Sequence, residues 1–170
     1  YGKDVSDFTL LDPMSGSGTS EKVAKQLGVR SVLYDLNPSP ACGKGNWNAL
    51  RDEVDESGDL IFFHPPYHSI IRYSGNMWGD PHPDDLSRCS TYKEFIDKLN
   101  FVIKKLYMSL RKDGRLAVLV GDICSQGKFY SMQNDMMKIG EYESFIVKAQ
   151  FNCVSDTKRY AKPFIPVVTE

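Results

Sequence analysis

The sequence is poor in the features that mark secreted or membrane-spanning proteins. Its 170 residues hold only four cysteines (Cys42, Cys89, Cys124 and Cys153), and none of them forms a CxxC pair. This scatter predicts reduced thiols in place of a disulfide framework or a zinc site. No apolar run reaches the ~20 residues that span a bilayer, and the start lacks the basic-then-apolar pattern of a signal peptide. We therefore expect a cytoplasmic protein without a membrane partner.

The chain also lacks any excess of charge of one sign. A net charge of −1 gives no global attraction to nucleic acid, although it is compatible with a local basic patch. Composition is ordinary for a globular protein, at 41% hydrophobic and 25% charged, and there is no repeat, linker or low-complexity tract. These features predict a single domain over residues 1–170. Strand-like sequence at both ends indicates a domain truncated on both sides.

Apolar runs of strand length alternate with helix-like segments along the chain. This alternation predicts an α/β fold with a mainly parallel sheet between two helical layers. The last two strands have no helix between them, so we expect them to form an antiparallel hairpin at the C-terminus. The predicted strands are 8–12, 31–35, 59–63, 115–121, 144–151 and 164–170.

Two helices are predicted from spacing and end signals. The first runs from Thr19 to Leu27 and stops at Gly28. The second covers 92–110, where apolar residues recur at three- and four-residue intervals, and Asp113-Gly114 is expected to end it. Its apolar positions are Phe95, Leu99, Val102, Leu106 and Leu110.

A glycine-rich turn follows the first strand in "LLDPMSGSGTS". Gly16 and Gly18 allow a tight turn and the close approach of a ligand, directly before a helix that favours negative charge at its start. A dinucleotide fingerprint would need a third glycine where Glu21 stands, and the lysine of a GxxxxGK loop is absent. The turn therefore predicts a ligand site that is not a phosphate cradle.

Polar residues near the second strand fit an adenosine group. Asp35 ends that strand about twenty residues after the glycines, where a carboxylate accepts hydrogen bonds from ribose hydroxyls. An exposed strand-end acid is the structural alternative. Asp12 could bind the amino end of a ligand or cap its own loop. Asn46 suits an adenine edge, and Trp47 is either a stacking face or a core residue.

The strand at 59–63 stops abruptly in "IFFHPPYHS". Pro65 and Pro66 force a rigid, extended exit, which serves either as a structural stop or as a grip for a ligand. The following segment, 64–91, has no regular pattern over a length that is usually functional or disordered. Its aromatic residues among glycines and prolines predict a lid or target-binding loop. The irregular spacing of His68, His82 and Cys89 predicts no metal site.

"DPMSGSGT", then "YDLNP", then "DLIFFHPPY" together resemble the amino-methyltransferases of nucleic acids. That family pairs a D-P-x-x-G-x-G-T loop with a (D/N/S)-P-P-(Y/F/W) loop, and the resemblance covers nearly the whole chain. It implies a Rossmann-like class I methyltransferase fold, S-adenosylmethionine as cofactor and DNA as partner. The implied reaction is methylation of an exocyclic amine, adenine N6 or cytosine N4. The implied cofactor-binding residues are Asp12, Pro13, Met14, Gly16, Gly18, Thr19, Asp35, Leu36, Asn46 and Trp47.

The resemblance also implies roles for His64, Pro65, Pro66 and Tyr67. An exocyclic amine is a poor nucleophile because its lone pair is delocalised into the ring, so acceptors must hold its N–H groups. In the family these are the first side chain of the motif and a proline carbonyl, while the aromatic residue stacks on the base. A base in a duplex would have to be flipped out to reach them.

His64 departs from the family pattern. Imidazole accepts a hydrogen bond through one nitrogen, and only when it is neutral. Either His64 is a neutral acceptor, with activity falling below about pH 6.5, or the site is catalytically weakened.

Nucleic-acid contacts are expected near the end of the chain. Lys158, Arg159 and Lys162 lie on a predicted loop beside the target entrance, where they contact phosphate or are simply solvated. Apart from 64–91 there is no room for a target-recognition segment, so specificity is expected from a segment or subunit outside this chain. The alternatives are an RNA base amino-methyltransferase, a non-catalytic cofactor-binding module and, last, a nucleotide-dependent oxidoreductase.

Overall fold

The computed structural model describes residues 4–125 and 127–139, and the backbone of residues 150–151 and 166–167. The chain divides into two compact units, Tyr1–Gly140 and Glu141–Glu170. Lys158, Arg159 and Lys162 lie outside the described residues, so their predicted role stays a prediction. Among the helices of the described ranges, none combines the length and hydropathy needed to cross a membrane.

The first unit is built on a four-stranded parallel sheet. The strand order is β2-β1-β3-β4, and every neighbouring pair is parallel. Helix α1 connects β1 to β2, and helix α2 connects β3 to β4. The predicted α/β class and mainly parallel sheet are therefore confirmed. The elements are β1 (Thr9–Asp12), α1 (Thr19–Leu27), β2 (Arg30–Leu33), β3 (Gly58–Phe63), α2 (Tyr92–Met108) and β4 (Leu110–Val118).

Helix α1 has the predicted bounds because its end signals are local. It begins after Gly18 and ends at Gly28, both in the left-handed conformation that glycine adopts without strain. The N–H of Gly28 donates to the carbonyls at the end of the helix. Neither boundary depends on distant residues, which is why the sequence predicts both.

Helix α2 begins as predicted but ends earlier. The Thr91 side chain caps it by accepting from the N–H of Glu94. The helix ends at Met108, and Asp113-Gly114 does not end it as predicted. Those two residues lie within β4 instead, in a bulge where the register with β3 shifts and Asp113 has φ 63°.

Buried apolar residues of α2 and of the sheet make up much of the core. Its helical side is the predicted apolar stripe, with Ile103 added and Leu110 excluded, because Leu110 already belongs to β4. On the sheet side, Leu11, Ile61 and Phe63 have no exposed surface. Burying each such side chain stabilises the fold by roughly 1.5–3 kcal/mol.

Two small features follow the sheet. An antiparallel hairpin, β5 (Ile123–Ser125) and β6 (Lys128–Tyr130), leads into α3 (Met132–Lys138), and neither strand was predicted. In the second unit, β7 (Gln150–Phe151) pairs antiparallel with β8 (Pro166–Val167), which confirms the predicted C-terminal hairpin.

Candidate ligand site at the edge of the parallel sheet

The glycine loop, residues 13–18, and the proline loop, residues 64–67, leave the same edge of the sheet. Strands β1 and β3 are parallel neighbours, with Leu11 opposite Ile61, so their carboxyl ends lie side by side. Asp12 is the last residue of β1, and His64 directly follows β3. Strand order also reverses here, since β2 flanks β1 and β4 flanks β3. Open α/β sheets bind ligands at this kind of switch point.

Asp12 fixes the conformation of the glycine loop. Its side chain is 3% exposed, and it accepts hydrogen bonds from the N–H of Met14, at 3.0 Å, and from the hydroxyl of Ser20. Burial raises the pKa of this carboxyl group, and its hydrogen bonds oppose that effect. Asp12 therefore caps its own loop, as one of the two predicted roles requires, and Pro13 beside it is buried.

The two glycines of the loop differ in how much room they have. Gly16 and Gly18 have φ of 50° and 79°, a region that side chains rarely adopt. A Cβ atom at Gly18 would overlap with Sγ of Cys42, whereas one at Gly16 would meet nothing within 4 Å. Thr19 then starts α1, so the free N–H groups of this helix lie at the loop.

Asp35 joins the end of β2 to the glycine loop. One carboxylate oxygen accepts from the N–H of Gly16 at 2.8 Å, and the other accepts from the N–H of Asn37 at 2.8 Å. A carboxylate oxygen accepts more than one hydrogen bond, and Asp35 is partly exposed. The structure therefore holds this acceptor beside the glycine loop, with capacity left for a ligand.

A cleft of about 450 Å³ is lined in part by the segment that follows Asp35. Two predicted cofactor residues, Leu36 and Asn46, line it, and Asn46 has φ 55°, a left-handed conformation that asparagine tolerates. The remaining lining residues are Pro38, Asn48, Arg51, Asp52, Trp78, Gly79, Asp80 and His82.

Trp47, also predicted for the cofactor site, packs in the core. It is 1% exposed, its ring lies 4.8 Å from that of Tyr34, and its indole N–H donates to the carbonyl of Glu53. Of the two alternatives that the sequence left open for Trp47, a stacking face or a core residue, the structure shows the core residue. The tryptophan that lines the cleft is Trp78.

The proline loop brings His64 and Tyr67 together. Nε2 of His64 lies 3.2 Å from the hydroxyl of Tyr67, and the two rings meet edge to face at 5.7 Å. Pro65 is buried and Pro66 partly so, which fixes the backbone between them. The ring of Tyr67 also lies beside Gly121, where an added Cβ would be 3.6 Å from it.

The surroundings of His64 favour the neutral form of its imidazole, although part of the residue is exposed. Burial lowers its pKa from the ordinary value, and the negative charge of Asp12 opposes that shift only partly. A neutral imidazole has one nitrogen with a free lone pair, so His64 meets the condition for a hydrogen-bond acceptor.

The segment 64–91 is organised around a buried carboxylate. Asp85 is 4% exposed and accepts four hydrogen bonds: from the N–H and hydroxyl of Ser74, at 2.8 and 2.6 Å, and from those of Ser87, at 2.9 and 2.7 Å. Burial alone would raise the pKa of Asp85, but these bonds hold it below its ordinary value. Nothing in the residue spacing indicated this arrangement, because its partners are eleven and two positions away.

His68 anchors the start of the same loop. It has φ 45°, its Nε2 lies 3.2 Å from the carbonyl of Cys89, and its ring packs against Phe95 of α2 at 5.5 Å. Within the described ranges, no three His, Cys, Asp or Glu side chains come together as metal ligands.

These features define an α/β chain with a candidate ligand site at the switch point of its parallel sheet. A scan against protein-family models found no match for the chain, and a search of curated proteins found none either.

Proposed function

We propose that this chain is an S-adenosylmethionine-dependent methyltransferase that acts on an exocyclic amine, adenine N6 or cytosine N4, in DNA. The observation that carries the proposal is the position of the two motif loops at the same edge of adjacent parallel strands. Methyl transfer requires cofactor and target base to meet, and loops at opposite edges could not bring them together.

The strand order supports a Rossmann-like fold with three layers. Parallel crossover connections are almost always right-handed. Helix α1 leads from β1 to β2 at one edge of the sheet, and helix α2 leads from β3 to β4 at the opposite edge. Right-handed connections in opposite directions would put the two helices on opposite faces of the sheet.

The cofactor would lie along the glycine loop, with its ribose hydroxyls at Asp35 and its adenine towards Leu36 and Asn46. Gly16 and Gly18 let it approach the backbone, and Met14 and Thr19 flank that path. When bound, this cofactor supplies an electrophilic methyl group. Asp35 offers a carboxylate, Asn46 an amide and the two glycines bare backbone, and none of the named residues is basic, which suits a nucleoside better than a phosphate.

The target amine would be held by the proline loop. The neutral His64 imidazole accepts one N–H and the Pro65 carbonyl accepts the other, while Tyr67 stacks on the base. Fixing both N–H groups directs the nitrogen lone pair towards the methyl group. A cytoplasmic location is part of the proposal and rests on the sequence alone.

A second candidate is a cofactor-binding module without methyl transfer. The contact between His64 Nε2 and the Tyr67 hydroxyl favours it, because a hydroxyl that donates to Nε2 occupies the acceptor that the amine needs.

The test has two stages. Calorimetry with S-adenosylmethionine and with NAD, side by side, is expected to show binding of the first only. Duplex DNA and RNA are then incubated with labelled cofactor, digested and analysed for methylated bases. Methylated adenine or cytosine in DNA supports the main proposal. Cofactor binding without transfer to either nucleic acid supports the binding module, and binding of NAD alone would overturn both.

A further inference from the structure

The 450 Å³ cleft is formed by two separate parts of the chain. One part is the segment after β2, which contributes Leu36 and Asn46, and the other is loop 64–91, which contributes Trp78 and Gly79. The loop that begins with the proposed target-binding residues thus also forms a wall beside the proposed cofactor residues.

The Trp78 wall is fixed by hydrogen bonds within its own loop. The N–H of Trp78 donates to the carbonyl of Tyr73 at 3.2 Å, and the carbonyl of Trp78 accepts from Gly75 at 2.9 Å. Ser74, which lies between Tyr73 and Gly75 in the sequence, donates two hydrogen bonds to Asp85. The backbone at Trp78 is therefore held in place before any ligand binds.

The same loop is also tied to the opposite side of the cleft. Asp84 accepts a hydrogen bond from the side-chain amide of Asn48 at 2.8 Å and forms an ion pair with Arg51. Both partners of Asp84 line the cleft. These contacts join its two walls, and a cleft built in this way is largely pre-formed.

The chemistry of the lining favours a flat, uncharged ring. Trp78 offers an aromatic face, and the Asn46 amide offers both a donor and an acceptor. Asp52 and Asp80 add negative charge, while Arg51 is already paired with Asp84. A phosphate group would be repelled here, whereas a nucleobase would not.

We infer that this cleft is the adenine pocket of the cofactor and that Trp78 stacks on the adenine ring. The inference rests on the proposed function, and it adds that loop 64–91 contributes to the cofactor site as well as to the target site. Cofactor and target base would then share one loop, with Trp78 at one part and Tyr67 at the other.

The two tryptophans of the chain make the inference testable by intrinsic fluorescence. Trp47 is buried, so a change on ligand addition reports on Trp78. We expect S-adenosylmethionine, and adenosine alone, to change the emission of the full chain, and methionine to leave it unchanged. Trp78→Phe is expected to remove the signal yet still bind the cofactor.

Affinity measurements complete the test. Base stacking on an aromatic ring is worth about tenfold or more in Kd, so Trp78→Ala is expected to weaken binding of S-adenosylmethionine by about that factor. Met77→Ala is the matched control, because Met77 is adjacent, 69% exposed and not part of the cleft lining. Thermal unfolding checks that each variant is folded. If Trp78→Ala does not fold, the measurements on Trp78→Phe still test the inference.

The outcomes separate this inference from the proposed function. Cofactor binding by the unaltered chain, with no fluorescence change and with the same Kd in the folded Trp78 variants, would overturn the inference and leave the proposed function standing. No binding of S-adenosylmethionine to the unaltered chain would overturn both.

Discussion

Asp12 and His64 lie at the same edge of the parallel sheet, close enough that the charge of each influences the pKa of the other. Burial is the larger influence on both groups, and it raises the pKa of Asp12 while it lowers that of His64. Because burial of its ring dominates, the neutral form of His64 is favoured at pH 7 in spite of the neighbouring carboxyl group. The proposed amine acceptor is therefore in the protonation state that its role requires.

The first prediction concerns the pH dependence of methyl transfer. A lowered pKa keeps His64 neutral, so activity is expected to fall only when the pH drops below about 6.5, as the imidazole gains a proton. His64→Asp is expected to keep activity to lower pH, because a carboxylate accepts directly. His64→Ala is expected to lose about 100-fold in kcat, the usual effect of removing one stabilising hydrogen bond at a reacting group. Identical pH profiles for the Asp and Ala variants would remove His64 from this role.

The second prediction compares Gly16 and Gly18, the two glycines of the glycine loop. Gly16→Ala is expected to lower the free energy of unfolding by about 1 kcal/mol, the penalty of a left-handed alanine. Gly18→Ala carries the same penalty and also drives its Cβ against Cys42, so at least about 2 kcal/mol is expected. Urea unfolding measures both values. The double variant Gly18→Ala, Cys42→Ala should recover part of the loss, and equal losses at the two glycines would contradict the contact.

The third prediction concerns Asp85, the buried acceptor of loop 64–91. Asp85→Asn replaces an acceptor oxygen with a donor group that faces Ser74 and Ser87, so a loss of about 2 kcal/mol in unfolding free energy is expected at pH 7. The folded pKa of Asp85 is lowered, so its stabilising effect is complete above the unfolded pKa of about 3.9 and declines as the pH falls towards the folded value.

Unfolding at a series of pH values checks this sign. The stability difference between the unaltered chain and Asp85→Asn should shrink below about pH 4. Asp80→Asn, an exposed change in the same loop, serves as the control. A difference that stays constant down to acid pH would show that the Asp85 charge is not the source of the stability.

The fourth prediction concerns Lys158, Arg159 and Lys162. If they contact phosphates, replacing all three with glutamine should reduce the slope of log K against log salt for DNA binding by about 0.9 per contact. Lys112→Gln is the control, because Lys112 lies in the β4 bulge opposite the start of β3, away from the candidate site. A slope that does not change in the triple variant would place these residues outside the interface.

Features with local causes were predicted well from the sequence. Both ends of α1 depend on Gly18 and Gly28, and the buried stripe of α2 depends on helical periodicity, so neither needed distant information. The end of α2 was predicted wrongly, since Asp113-Gly114 has the composition of a helix stop but serves as a strand bulge. Only the register between β3 and β4 distinguishes these two uses of the same dipeptide.

By itself the sequence determined the α/β class, the parallel sheet and the two motif loops, because strand and helix periods and glycine and proline restrictions act over a few neighbouring residues. The tertiary structure decided what those loops meet. Pairing of β1 with β3 brings Asp12 and His64 to one edge. Asp85 organises 64–91 through Ser74, eleven positions before it, and Ser87, two positions after it. Trp47 packs in the core, while Trp78 lines the cleft. Each of these depends on strand pairing, side-chain hydrogen bonding or burial in the folded chain, which the periodicity and turn signals of the sequence do not record.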